Sequence, residues 1–121
     1  GYDLRRQQGR LWKFDITGGR YEEADFEATG SGGLYARESL KKRQRQNGSR
    51  EEALRSAVEA LTDAADEDRG TGGIDTLRGI FPTVIFCSER GIEEGVESEI
   101  RAAHEHLLER RGNDRANGDS P

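Results

Sequence analysis

Aliphatic bulk is what this sequence has least of. Leu, Ile, Val and Phe supply 22 of its 121 residues, about 18%, just under the roughly 20% at which disorder becomes a competing description. That description also asks for high net charge, and −5 over this length is modest. A mean hydropathy of −0.95 therefore leaves two readings: a partly disordered chain, or a folded piece whose core something else completes. The periodic segments described below favour the second. There is one cysteine, Cys87, which excludes a disulfide framework and a cysteine metal cage and points to a reducing, cytoplasmic setting. Basic residues are not in excess, with 19 Lys and Arg against 24 Asp and Glu, so the footprint of a general nucleic-acid binder is missing. No apolar run approaches the ~20 residues of a membrane span. The opening, Gly1-Tyr2-Asp3-Leu4-Arg5-Arg6, lacks the apolar segment of a secretory signal. It also lacks a polar lead-in, and reads as a cut through the interior of a larger domain.

What is present is periodic. Over residues 10 to 28 the pattern predicts a β-hairpin, with Trp12, Phe14 and Ile16 on the more apolar side and Leu11, Lys13 and Asp15 opposite. Thr17-Gly18-Gly19 supplies its turn, and Tyr21 to Ala28 the return strand. Gly30-Ser31-Gly32-Gly33 breaks that strand and leads into a helix from about Leu34 to Arg43. Lys41, Lys42 and Arg43 fall in its last turn, where cations complement the helix dipole. Ser49 with Glu52 forms a capping box. Ala53, Leu54, Ala57, Val58, Leu61 and Ala65 then recur on one helical face, with Glu51, Arg55, Glu59 and Asp63 mainly elsewhere. Thr83 to Cys87 is a short continuous apolar run, the pattern of a strand buried on both faces. Ile92 to Val96 reads as its partner strand, and Ile100, Ala103, Leu107 and Leu108 mark a last amphipathic helix ending near Gly112. The expected organisation is one domain over 1–112 and a disordered polar tail over 113–121. The fold class is α+β.

Several constellations have plain readings. Gly30 to Gly33 ahead of a helix could present N–H groups to an anion, but no Lys-Ser/Thr follows to complete a phosphate loop. The stretch reads as a turn where backbone must approach something closely. His104 and His106 are two apart on a helix, about 200° around its axis, so they do not grip one metal together and read as surface or rim histidines. Cys87 reads as a buried structural cysteine. The run Asp66-Glu67-Asp68-Arg69-Gly70-Thr71-Gly72-Gly73 is less easily set aside. Acidic groups are unfavourable at a helix C-terminus, so this placement asks for a partner. It does not match a calcium loop, and a phosphate- or metal-binding regulatory domain would rest on these weak signals alone.

The stretch Asp63-Ala64-Ala65-Asp66-Glu67-Asp68, then Thr71-Gly72-Gly73, Asp75 and Arg78-Gly79-Ile80-Phe81-Pro82-Thr83-Val84 resembles the late helix, loop and strand of actinobacterial proteasome β-subunits. Gly18-Gly19-Arg20-Tyr21, Ala28-Thr29-Gly30-Ser31-Gly32 and Ala53 to Ala60 follow the same family in the same order, and Glu93-Glu94 with the final helix continues it. The resemblance spans nearly the whole chain and implies the C-terminal half of an N-terminal-nucleophile hydrolase, an αββα four-layer sandwich. It implies a threonine endopeptidase whose first residue attacks the peptide carbonyl with its own amine as base, and which needs no cofactor. That threonine, with a supporting Asp and Lys, would precede Gly1, so the chain alone is expected to be inactive. Ser31, Asp68 and Thr71 match the family's supporting positions beside the nucleophile, where a carboxylate stabilises a nearby ammonium. Arg69-Gly70, Ile74 and the linker Gln44 to Asn47 depart from the family's usual residues. The partners implied are other β-subunits and α-subunits in stacked heptameric rings, with an ATPase ring and tagged protein substrates beyond them, and neither nucleic acid nor membrane. A truncated, non-catalytic structural or interaction protein of the same fold is the alternative.

Overall fold

The computed structural model describes residues 1–44 and 46–118. Its elements follow in the order β1 (Tyr2–Asp3), β2 (Gln8–Gly9), β3 (Leu11–Phe14), β4 (Arg20–Glu23), α1 (Gly33–Arg43), α2 (Arg50–Glu67), β5 (Ile85–Ser88), β6 (Gly91–Glu94) and α3 (Glu97–Gly118). The architecture is mixed α+β. The strands form three separate antiparallel pairs, β1 with β2, β3 with β4 and β5 with β6. Among the described residues no helix is long and apolar enough to cross a membrane.

The first pair was not foreseen, because Arg5-Arg6-Gln7 carries no usual turn signal; Gln7 takes a positive φ of 52° to close it. The second hairpin is shorter than the pattern suggested. Its register runs from Phe14↔Arg20 to Leu11↔Glu23 and stops there, because the chain ahead of Leu11 turns aside: the Arg10 N–H bonds the Gly1 carbonyl at 2.8 Å. Residues 24–28 therefore have no strand to pair with. Asp15 organises the turn, accepting from the Thr17 N–H and hydroxyl, the Gly19 N–H and the Tyr21 hydroxyl.

Helix α2 lies at the centre. Ser49 caps it as expected, its hydroxyl oxygen accepting from the Glu52 N–H at 3.1 Å. Leu54 and Val58 pack with Ile100 and Ala103 of α3, joined by Ile74, Phe81, Val84 and Phe86. A second cluster, Ala36 with Ala60 and Ala64, joins α1 to α2 through small side chains that let the backbones approach. Flanked on two sides, α2 buries a different set of residues from the single face expected. Ala53 is exposed and Leu61 is 42% exposed, while Glu59 is only 2% exposed. A carboxylate tolerates such burial when cations meet it, and Glu59 is paired with both Arg43 of α1 and Arg110 of α3. Asp63 beside it pairs with Arg111.

Four further expectations are corrected. Strand β5 is not buried on both faces: Ile85 is 59% exposed, with Phe86 turned inward against the helix cluster. Cys87, next on the outward side, is exposed. His104 is buried at 9% exposure, because it shares the inner face of α3 with Ile100, Ala103 and Leu107. Helix α3 runs on through Gly112 to Gly118; a glycine inside a helix weakens it without ending it. Residues 113–118, read from the sequence as tail, are helical, and 119–121 lie outside the described residues.

Candidate functional site

The residues that the sequence singled out meet at one place. Ser31 stands just ahead of α1, and Asp68 is the C-cap of α2, with extended backbone and its N–H on the Ala64 carbonyl at 2.8 Å. A tight turn follows, in which the Thr71 N–H bonds the Asp68 carbonyl at 3.1 Å. The turn folds the Thr71 side chain back over the carboxylate. Ser31 Oγ then donates to Asp68 Oδ2 at 2.6 Å, and Thr71 Oγ1 donates to the same oxygen at 2.7 Å. Ser31 is exposed and the other two are half-buried, so the cluster faces outward.

The acidic helix end thereby finds its partner. Asp68 Oδ2 lies beside Gly32, the N-cap of α1, so the carboxylate that is misplaced for α2 stands at the positive end of α1. That helix has no acidic residue in its first turn and no side-chain cap of its own. The glycine run is thus the seat of the protein's own carboxylate. The Ser31 hydroxyl, then the Thr71 hydroxyl, with a smaller contribution from the Gly70 N–H, hold the Asp68 carboxyl below the usual carboxylate range against the opposing effect of burial. Asp68 is therefore ionised at neutral pH.

A hydroxyl carries one proton to give. With both protons committed to Asp68, Ser31 Oγ and Thr71 Oγ1 offer only lone pairs to anything that approaches. Two acceptors backed by a negative charge suit a cationic N–H donor. The family pattern pointed to Ser31, Asp68 and Thr71, and the glycine run holding Gly32 was read as a turn of close backbone approach; what Gly32 approaches, the Thr71 hydroxyl and the Asp68 carboxylate, is visible only once the chain is folded. Cys87, on β5, and His104, on α3, belong to other elements. Among the described residues His104 Nδ1 has no hydrogen-bond partner.

The sequence model of the family described as proteasome subunit matches residues 1–77, more than half the chain. The chain belongs to the proteasome subunit family. It is 44% identical over 111 residues to the proteasome subunit beta of Streptomyces griseus subsp. griseus, a match covering 92% of this chain and 40% of that protein. It is 47% identical over 114 residues to the proteasome subunit beta 1 of Streptomyces avermitilis, with the same coverage of 92% and 40%. The chain thus spans about two fifths of the length of these relatives.

Proposed function

We propose that this chain is the C-terminal portion of a proteasome β-subunit, a threonine endopeptidase in which Ser31, Asp68 and Thr71 hold the reactive amine. The observation that carries the reading is the shared acceptor: two hydroxyls donate to one oxygen of an ionised carboxylate. An N-terminal threonine uses its amine to take the proton from its own hydroxyl as that oxygen attacks, and the amine becomes an ammonium. A carboxylate with two outward lone-pair acceptors stabilises that charge and fixes the direction of its N–H bonds. The nucleophile and its nearest Asp and Lys lie, on this reading, in the sequence that precedes Gly1 in the family. The described hairpins become part of the two central sheets of a four-layer sandwich, and α1, α2 and α3 part of a helical layer. Stacked rings of β- and α-subunits are the assembly it would join, acting on protein substrates.

The test uses a completed subunit, made by joining the N-terminal portion of the Streptomyces griseus relative ahead of Tyr2. Asp68→Asn keeps the size and removes the charge. Turnover of a fluorogenic peptide is expected to fall with KM nearly unchanged. A directly acting acid or base contributes about 10²–10⁴-fold; a supporting carboxylate belongs at or below the lower end. Native mass spectrometry must show that the variant assembles. Assembly together with an unmutated rate overturns the reading.

A further inference from the structure

We propose that Gly32 is a positioning residue, keeping free the space into which the Thr71 hydroxyl closes on Asp68. A glycine is kept for its backbone or for its lack of a side chain, and the two reasons separate here. Gly30 has a positive φ of 97°, the left-handed region that favours glycine. Gly32 has φ −92° and ψ 5°, a conformation open to other residues. Its backbone does not require glycine; the reason lies in what a side chain here would meet. A Cβ at Gly32 would lie 2.5 Å from Thr71 Oγ1, 3.1 Å from Ala64 Cβ and 3.3 Å from Asp68 Oδ2. The first distance is well inside van der Waals contact, so something must move. Ala64 is 2% exposed and packed with Ala36 and Ala60 between two helices, and such a core yields little. The Thr71 hydroxyl turns about a single bond. It is the group that gives way, and with it goes one of the two hydroxyl donors to Asp68.

The function of this geometry rests on the amine-holding reading above, while the geometry itself does not, and the test separates them. The chain labelled with carbon-13 at aspartate carboxyls is titrated by NMR, following Asp68. Gly32→Ala is expected to raise the Asp68 midpoint, since a hydrogen bond to the charged form is lost. Thr71→Ala should raise it similarly, and adding Gly32→Ala to Thr71→Ala should add much less than it does in the parent chain, the atom met at 2.5 Å being gone and only the looser contacts at 3.1 and 3.3 Å remaining. Gly72→Ala in the same loop is the control: its Cβ meets nothing within 4 Å, and the midpoint should stay in place. An ordered Gly32→Ala chain with an unmoved midpoint overturns the proposal. So does an equal further rise in the Thr71→Ala background. If Gly32→Ala fails to fold, recovery of folding in the double variant supports the steric route. Failure of the double variant as well overturns it, because Ala64 would then be the obstacle. In the completed subunit, Gly32→Ala should lower kcat and leave KM in place. A moved midpoint with unchanged kcat leaves the positioning intact and removes the amine-holding reading.

Discussion

Arg50 shows how much one side chain holds in a chain so poor in aliphatic residues. It opens α2, and its guanidinium lies 3.7 Å from the centroid of Phe86 on β5. It donates to both carboxylate oxygens of Glu99 at 2.5 and 3.2 Å and stands 3.8 Å from Glu93 of β6. Glu99 also accepts from the Val96 N–H at 3.0 Å, holding the entry to α3. Arg50 first, then the Val96 N–H, keep the Glu99 carboxyl below the usual glutamate range, against desolvation. A depressed folded value sets the sign of the pH dependence. The contribution is complete above the unfolded value of about 4.3 and is lost as pH falls through the folded value. Glu99→Gln keeps the shape and removes the charge. Thermal melts followed at 222 nm should show the parent chain more stable than Glu99→Gln at pH 7, with the gap closing as pH falls below 4. A gap of the same size at both ends of that range would refute the electrostatic account.

At the scale of elements, α2 is where the helices meet, and the buried Glu59 is its distinctive feature. Arg43 and Arg110 reach Glu59 from the two flanking helices, and both are partly exposed, at 36% and 45%, against 3% for the Glu59 side chain. The asymmetry makes a prediction opposite to a simple tally of charges. Replacing Glu59 by Met fills the same space, leaves Arg110 free to turn to water and leaves Arg43 its contacts with Ser39 and Asp63, so the loss should be on the order of 1 kcal/mol. Replacing both arginines by Ala strands the carboxylate inside and should cost about 3–5 kcal/mol. Urea unfolding of the two variants decides it, and a larger loss for Glu59→Met would be wrong for this clamp. The helices themselves were legible. Ser49 and Glu52 mark the start of α2, and the spacing of Leu54 and Val58 marks its face toward α3. Glu59 was read as a charged residue lying mainly off the apolar face, because a sequence does not say that a helix has neighbours on two sides. His104 escaped for a related reason, since one histidine on an apolar face carries no periodic signal of its own. The site divides the same way. Ser31, Asp68 and Thr71 were reached through family pattern and the glycine run was read as a close approach, while what Gly32 approaches needed a distance.

For the whole molecule, the question is what three small hairpins do with their open edges. Among the described residues no strand ladder joins one pair to another, so each pair keeps outer edges that no further strand extends. The sequence could mark Thr83 to Cys87 as apolar enough for burial; it could not say that Ile85 and Cys87 would stay exposed among the described residues. Ile85 and Ile92 on the third pair are 59% and 78% exposed, and Phe14 and Leu77 are 68% and 98% exposed. Exposed strand edges with apolar faces are templates for pairing with another chain, and soluble monomers rarely leave large apolar patches open. The buried residues of the clusters around Leu54 and Ala60 all come from α1, α2 and α3, so the helical layer should persist. The purified chain is accordingly expected to associate with itself through its hairpins while keeping a helical spectrum. Sedimentation velocity across a dilution series should show species larger than a monomer, growing with concentration. Ile85→Lys with Ile92→Lys places two charges on the open face of the third hairpin and should shift the distribution toward monomer without reducing the signal at 222 nm. A parent chain that sediments as a single monomer at every concentration, with one cooperative melt, would mean that these residues close their own core.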